Sequence, residues 1–296
     1  MKMKSKTRES IAGLLFITPN FIGITVFTII PIIAGLYLSF TEWDMFSDPE
    51  FIGFKNYTEM FLEDDVFWLS FKNTVFFTLI SIPGGMILSL LFALALNTNI
   101  RGVNIYRALI FLPYICSTVA VGLAWKWIMS PDFGILNYIL SIFGLPPLAW
   151  LSDSSTALIS VCIVSVWHGA GYNMIIFLAG LKGIPQSYYD AAKIDGANYF
   201  QRLIKITIPL LTPTIFFVFI VSMISSFQVY NWIYVMTQGG PGDSTKVLVY
   251  YIWETAFQYF RMGYASAIAY FMFIVLFFIT LMQVRYLSKK VNYDVT

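Results

Sequence analysis

The sequence predicts an all-α membrane protein, a bundle of six transmembrane helices with both termini on the cytoplasmic side. Of its 296 residues, 58% are hydrophobic and 11% are charged, whereas a soluble domain carries about 25% charged residues. Six stretches are apolar over the roughly 20 residues that a helix needs to cross the hydrocarbon core. Basic residues also concentrate in the short loops of one side, which is the pattern of cytoplasmic loops.

The six predicted spans lie near residues 11–40, 70–97, 105–129, 155–181, 207–236 and 263–284. The first span follows the basic sequence MKMKSKTR. It is too long for the apolar region of a secretion signal and lacks a small-residue cleavage site, so we interpret it as an uncleaved helix. Pro19 and Pro31 predict kinks within it.

These spans divide the chain into five parts. They are a cytoplasmic N-terminus (1–10), the first transmembrane helix (11–40), an extracytoplasmic loop (41–69), a core of five helices (70–285) and a cytoplasmic tail (286–296). The loop at 41–69 is rich in Asp and Glu, and one short helix is predicted near Ile135–Ile142 in the later loop 131–154.

One polar segment, Asp190–Pro209, separates the fourth and fifth spans, and the charge bias assigns it to the cytoplasm. Pro185 and Ser187 indicate a helix start, and Gly196 indicates its stop. Asn198 can cap a second helix that leads into the fifth span. The segment therefore predicts two short helices with a glycine bend, and composition alone would also allow an ordinary helical loop.

The order of the residues in this segment is more informative about function than its composition. They resemble the cytoplasmic motif of ABC importer permeases, Glu-Ala-Ala, two residues, Asp-Gly-Ala, and later Ile-x-Leu-Pro. Asp190 replaces the usual Glu, and the resemblance assigns ATPase coupling to a helix at 185–206. The matching residues of the coupling motif are Asp190, Ala191, Ala192, Asp195, Gly196 and Ala197.

The fifth span carries a hydroxyl-rich stripe. Ser222, Ser225, Ser226 and Val229 recur at helical spacing, and the fourth span offers Gly169 and Tyr172 within the sequence VSVWHGAGYN. Aromatic faces and uncharged hydrogen-bonding groups suit a neutral polyhydroxylated solute. Small residues and serines also mediate helix packing in lipid, so that interpretation stays open. All six positions coincide with sugar-contacting positions of maltose-type permeases, so the resemblance favours a substrate site.

Two loops also resemble the carbohydrate-uptake, binding-protein-dependent (maltose-type) branch of this family. They contain Gly53, Asn56 and Tyr57 before the second span, and TQGGPGDST at Thr237–Thr245. The acidic loop and Gly239–Gly242 are therefore expected on the docking side for a binding protein.

Other functions have weaker support. The chain contains no phosphate-loop motif and no metal-ligand spacing, and Cys116 and Cys162 are expected as free, buried thiols. His168 has no nucleophilic or acidic residue nearby in sequence, so a structural or pore-lining role is favoured over catalysis. An ion-coupled secondary sugar carrier or channel acting without an ATPase is the alternative, although the centres of the spans carry no Asp or Glu.

The resemblance thus implies a non-catalytic, multi-pass permease of the cell membrane with the six-helix fold of type I ABC importers. It implies half of a translocation pathway for a carbohydrate, such as an oligosaccharide or glycoside. The implied partners are a second homologous permease, an ATPase dimer and an extracytoplasmic solute-binding protein. The sugar and membrane lipid would be its other contacts, with no nucleic acid and no cofactor on this chain.

Overall fold

The structure, a computed structural model, describes residues 2–98 and 101–287, and most of these residues are helical. Most of the predicted tail, residues 288–296, lies outside the described part. The helices are α1 (Lys2–Ile24), α2 (Ile30–Leu38), α3 (Lys55–Leu62), α4 (Asp65–Leu96), α5 (Val103–Ile115), α6 (Thr118–Ile128), α7 (Ile135–Ile142), α8 (Ala157–Gly183), α9 (Gln186–Ile194), α10 (Tyr199–Arg202), α11 (Ile208–Leu210), α12 (Thr212–Phe227), α13 (Asn231–Met236), α14 (Leu248–Phe257) and α15 (Met262–Met282). Two short strands, β1 (Thr41–Glu42) and β2 (Glu50–Phe51), and three π-helical turns complete it.

Within the described residues, four continuous helices are long and apolar enough to cross a membrane. They cover Gly13–Leu38, Asp65–Leu96, Ala157–Gly183 and Met262–Arg285. Two further candidates are pairs of helices with a sharp bend between them, so the total is six when each pair counts as one span. This agrees with the six-span prediction.

A π-helical turn interrupts the first span at Thr25–Ile29, directly before Pro31. The amide of Ile30 donates to the carbonyl of Thr25, five residues earlier. Proline has no amide hydrogen to continue the α-helical pattern, which accounts for a break at this point. The helix assignment continues through Pro19 without a break.

The third span is not the continuous helix predicted for 105–129. Helices α5 and α6 meet at 95°, because Pro113 occupies the last turn of α5 and Cys116 adopts an extended conformation. The amide of Cys116 donates to the carbonyl of Pro113. Cys116 lies at this bend and is exposed, contrary to the buried thiol that we expected, whereas Cys162 is buried.

The fifth span also differs from its prediction, 207–236. The helix leading from Tyr199 to Leu210 meets α12 at 65°, where Pro213 enters the first turn of α12. Helix α12 ends at Phe227, and α13 starts only at Asn231. A non-helical stretch, residues 228–230, therefore lies where the sequence suggested uninterrupted helix.

The chain forms two compact units. The smaller unit comprises residues 1–63 and 252–272. In it β1 and β2 pair antiparallel, with Thr41 opposite Phe51. The buried side-chain amide of Asn56 donates to the carbonyls of Ser39 and Thr41, which fixes α3 to the end of the first span.

The described part of the larger unit comprises residues 64–98, 101–251 and 273–287, and its core forms around α4, α8 and α12. Two glycines of α8 permit close helix contacts. A Cβ at Gly171 would collide with the backbone carbonyl of Ile110 in α5, and one at Gly180 would collide with the Thr214 hydroxyl in α12. Because neither glycine carries a side chain, the backbone of α8 packs against the backbone of α5 at Gly171 and against the Thr214 side chain of α12 at Gly180.

Helix α7 has the predicted bounds, Ile135–Ile142. The buried side chain of Asn137 holds the loop around it. Its amide donates to the carbonyls of Pro131 and Leu148, and its oxygen accepts from Leu148 N and Trp150 Nε1. The side chain's two donors and its acceptor are all satisfied, so the loop is a folded element.

Candidate functional site

A cavity of about 350 Å³ lies in the larger unit, among α4, the bend between α5 and α6, α8, and the end of α12. The structure brings all six predicted substrate-contact residues to its lining. They are Gly169, Tyr172, Ser222, Ser225, Ser226 and Val229. Residues that are more than 50 positions apart in the sequence therefore share one surface.

The α8 wall is open at Gly169 and closed at Gly171. A Cβ at Gly169 would meet nothing within 4 Å, so the backbone there is accessible from the cavity. Gly171 is not open in the same way, because its missing side chain makes room for α5. Of the two glycines, Gly169 is the one placed to contact a bound molecule.

The cavity wall on the α12 side consists of serine hydroxyls on the helix and of the non-helical residues that follow it. Ser225 is exposed at the cavity, whereas Ser226 is buried and its hydroxyl donates to the carbonyl of Met223 at 3.0 Å. Val229 was predicted on the same helical stripe, but it lies beyond the end of α12. It reaches the cavity because residues 228–230 turn there rather than continuing as helix.

Aromatic rings complete the lining, and one of them, Tyr114, was not singled out in the sequence. Tyr114, the last residue but one of α5, stacks on Tyr172 with ring centroids 4.7 Å apart and planes 20° apart. The rings of His168 and Trp232 pack steeply, with centroids 4.9 Å apart and planes 75° apart. The sequence did not place Tyr114 in the lining, because the bend that turns it towards α8 was not predicted.

The cavity is polar but carries no formal charge. Among the described residues that line it, none is Asp, Glu, Lys or Arg. Its hydrogen-bonding groups are hydroxyls, the amides of Asn173, Gln228 and Asn231, and one imidazole. Such a surface can exchange hydrogen bonds with a neutral solute and offers stacking faces for its apolar sides.

The coupling motif residues lie at the end of α9 and in the turn that follows. Gly196 has a φ of +75°, in the left-handed region that glycine adopts readily. The amide of Ala197 donates to the carbonyl of Ala192, and that of Gly196 to the carbonyl of Lys193. This is the Schellman pattern that ends a helix, as the sequence predicted for Gly196.

Asn198 begins the second short helix with a capping box. Its side chain accepts from the amide of Gln201 at 2.9 Å, and the Gln201 side chain accepts from the amide of Asn198 at 2.9 Å. The predicted second helix is thus present, with a π-helical turn at Leu203–Thr207 before α11. The Tyr189 hydroxyl contacts that of buried Thr207 at 3.0 Å, which ties α9 to the start of the fifth span.

Asp190 forms local interactions within α9. Its carboxylate accepts from the Gln186 side chain at 3.1 Å and pairs with Lys193 at 3.2 Å. The hydrogen bond from Gln186, followed by the one from Lys193, lowers the pKa of this exposed carboxyl below its ordinary value. Because Asp190 binds within its own helix, it stabilises α9 and is not buried against another element.

Apolar side chains are exposed beside these polar residues. Ile194 is 87% exposed and Phe200 is 69% exposed. Together with the motif they form a mixed apolar and polar surface on two short, well-capped helices.

Comparisons with known proteins agree with this architecture. Residues 73–293 match the family described as binding-protein-dependent transport system inner membrane component. The probable ABC transporter permease protein YesP of Bacillus subtilis (strain 168) is 41% identical over 99% of this chain and 96% of its own length. The trehalose/maltose transport system permease protein MalF of Thermococcus litoralis is 34% identical over 95% of each chain.

A bacterial alginate ABC transporter, solved in complex with an alginate pentasaccharide-bound periplasmic protein, contains a chain of the same fold. Its TM-score is 0.84 at 22% identity, over 96% of both chains. The match to residues 73–293 and the full-length relatives give one conclusion: the chain belongs to the binding-protein-dependent transport system inner membrane components, the permeases of ABC transporters.

Proposed function

We propose that this chain is the permease subunit of an ATP-driven, binding-protein-dependent importer for an uncharged carbohydrate, such as an oligosaccharide or glycoside. The observation that carries the proposal is the cavity, which combines serine hydroxyls, side-chain amides and tyrosine rings without a formal charge. Its volume of about 350 Å³ is within the range of roughly 300–1,000 Å³ typical of ligand sites. The trehalose/maltose permease among its relatives supports the same substrate class.

A phosphate-bearing solute is a poorer match to this cavity. Burying a phosphate without a cationic partner is costly, and the described lining offers neither Lys nor Arg. A proton- or sodium-coupled mechanism has no support from the lining either, because it holds no carboxylate. Energy supplied by a partner at the polar segment is consistent with a lining that holds no carboxylate.

In the proposed mechanism the Asp190–Pro209 segment faces the cytoplasm and docks on an ATPase subunit. Exposed Ile194 and Phe200 would supply apolar contact, and the Schellman turn and the capping box would keep the two helices at a fixed angle. Closure of the ATPase dimer would then move the segment and, through Tyr189 and Thr207, the start of the fifth span.

The remaining partners follow from the same proposal. A second, homologous permease would complete the pathway, and an extracytoplasmic binding protein would deliver the sugar. Both termini would be cytoplasmic, with the 41–69 loop and the Gly239–Gly242 turn outside, where the binding protein docks. The cavity of this chain would be one wall of the route.

The test is purification of this chain from gently solubilised native membranes, followed by reconstitution of the co-purified complex into vesicles. We expect a second permease and an ATPase to co-purify. Sugar uptake should require ATP on the side of the vesicle membrane that the ATPase subunits face. If the chain purifies alone and transports sugar on an ion gradient, the ATP-driven proposal is wrong and a secondary carrier replaces it.

A further inference from the structure

The only histidine of the chain, His168, lines the cavity from α8. Its side chain is 9% exposed, and its Nε2 atom is buried without a hydrogen-bond partner. Buried polar atoms in folded proteins are almost always paired, so an unpaired one next to a cavity needs an explanation. The explanation offered by its position is that the missing partner is the transported molecule.

The imidazole is held in place from several sides. The ring of Trp232 packs steeply against it, with centroids 4.9 Å apart, and the ring centroid of Tyr114 is 5.7 Å away. The backbone of Cys116, at the bend between α5 and α6, lies close to the ring. A side chain fixed in this way presents its free nitrogen at one defined point, which is what selective recognition needs.

Two other buried, unpaired hydroxyls of the same helix bundle are weaker candidates for a contact with the solute. The Thr78 hydroxyl of α4 is buried and unpaired, but Thr78 does not line the cavity. The Ser81 hydroxyl does line it, yet Ser81 lies beside the Cys162 thiol. His168 is therefore the lining residue whose unpaired nitrogen is the strongest candidate for a hydrogen bond with a ligand.

We propose that His168 is a specificity-determining residue, whose Nε2 exchanges a hydrogen bond with one hydroxyl of the carbohydrate in the cavity. This inference depends on the proposed function, because it names one contact inside the same site. A hydroxyl both donates and accepts, so it can satisfy Nε2 in either tautomer of the neutral ring. A solute without that hydroxyl would leave the buried nitrogen unpaired and would be rejected.

The neighbours of His168 define where that hydroxyl would lie. Gly169 leaves the backbone next to the imidazole open, and the stacked pair of Tyr114 and Tyr172 provides an aromatic surface beside it. A sugar ring lying near the tyrosines would turn a ring hydroxyl towards Nε2.

The experiment uses the complete importer, with its partner permease, ATPase and binding protein, in proteoliposomes. Maltose, trehalose, lactose and raffinose are supplied in turn, and the sugar that enters fastest is used for all comparisons. His168→Leu should lower its uptake about 10-fold, because the hydrogen bond is lost. The control Thr78→Val removes a buried, unpaired hydroxyl outside the cavity lining and should leave uptake within about twofold.

Two amide variants separate recognition from a structural role. The side-chain amide of Gln reaches the position of Nε2, whereas that of Asn reaches the position of Nδ1. His168→Gln should therefore recover at least a third of wild-type uptake, and His168→Asn should behave like His168→Leu. Recovery by Asn and not by Gln would assign His168 to structural support and overturn the inference.

Deoxy analogues of the accepted sugar give the decisive readout. One analogue should enter the wild-type vesicles about 10-fold more slowly than the parent sugar, and His168→Leu should abolish that difference. If His168→Leu transports the parent sugar but every analogue still enters as much more slowly than the parent as in wild type, the inference fails and the proposed function stands. If none of the four sugars enters, the proposed function fails and this inference fails with it.

Discussion

The cavity and the polar segment are built in opposite ways. The polar segment is local, because its turn and caps join residues no more than five positions apart, such as Ala192 with Ala197 and Asn198 with Gln201. The cavity is assembled from four regions of the larger unit, and Tyr114 and Tyr172 meet there although 58 residues separate them. A segment built locally can keep its shape while its surroundings change, whereas the cavity changes whenever one wall moves.

This difference suits the two proposed tasks. A connection to a motor subunit has to transmit motion without deforming, and short capped helices do so. A transport site has to open and close around its solute, and walls contributed by separate helices allow it. Substitutions in the two regions should therefore impair transport in distinguishable ways.

The largest effect is expected for Gly196→Val. The backbone at Gly196 is in the left-handed region, which costs other residues about 1–2 kcal/mol and β-branched residues more. The Schellman turn should be lost, and ATP-driven uptake should fall more than 10-fold, with less ATPase co-purifying. Gly196→Asn, which tolerates this conformation, should keep most activity. Normal uptake and ATPase recovery in Gly196→Val would contradict a coupling role for the turn.

A second substitution affects the cavity and spares the partner contact. Ser225→Trp should fill part of the space between α8 and α12 and lower sugar uptake about 10-fold. The ATPase should co-purify as in wild type, because the polar segment is unchanged. Phe217→Trp is the matched control, since Phe217 is exposed on the same helix and does not line the cavity. Equal losses in both variants would show that bulk on α12, and not the cavity, limits transport.

A smaller effect is expected for the cap of α10. Asn198→Ala removes the acceptor for the Gln201 amide, which typically costs about 1 kcal/mol. Hydrogen exchange of residues 199–202 should become about fivefold faster, and exchange in α8 should be unchanged. Asn198→Asp keeps an acceptor oxygen and should exchange at the wild-type rate. Unchanged exchange in the alanine variant would mean that the capping box does not hold this helix.

The smallest effect concerns Asp190. Its pKa is lowered by the hydrogen bonds from Gln186 and Lys193, so its stabilising contribution is complete above the unfolded value near 3.8. That contribution is lost as the pH falls through the lower folded value. NMR titration of labelled Asp190 in nanodiscs should show a pKa below 3.8, and Gln186→Leu should raise it. A value that is the same in both proteins would exclude this hydrogen bond.

The polar segment could be predicted closely because its signals are short-range. Gly196 at the helix stop, Asn198 at the cap and the bounds of α7 follow from residues that act on their immediate neighbours. The bends were less accessible. Pro113 lies within the third span, but the sequence does not show a 95° turn, because such a turn depends on what α5 packs against.

The six residues predicted as a substrate site lie together in one cavity, whereas the rest of the lining was predicted only in part. Tyr114 and Trp232 reach the cavity only because of the bend at Cys116 and the break at residues 228–230. Val229 was placed in the lining for a partly wrong reason, since it does not continue the helical stripe. Hydrophobic periodicity cannot show such breaks, because in a span both sides of a helix are apolar.

Helix α8 contacts its two neighbours, α5 and α12, in different ways. Backbone contact at Gly171 makes α5 and α8 one stiff wall, whereas Gly180 holds α12 near its first turns, at Thr214. Ser222 lies eight residues beyond Thr214, about 12 Å along the helix. Helix α12 thus resembles a lever whose fulcrum is at Gly180, and a tilt of about 10° would displace its serines by about 2 Å over that arm. A tilt of α12 about this contact would therefore change the shape of the cavity at the place where the solute would bind.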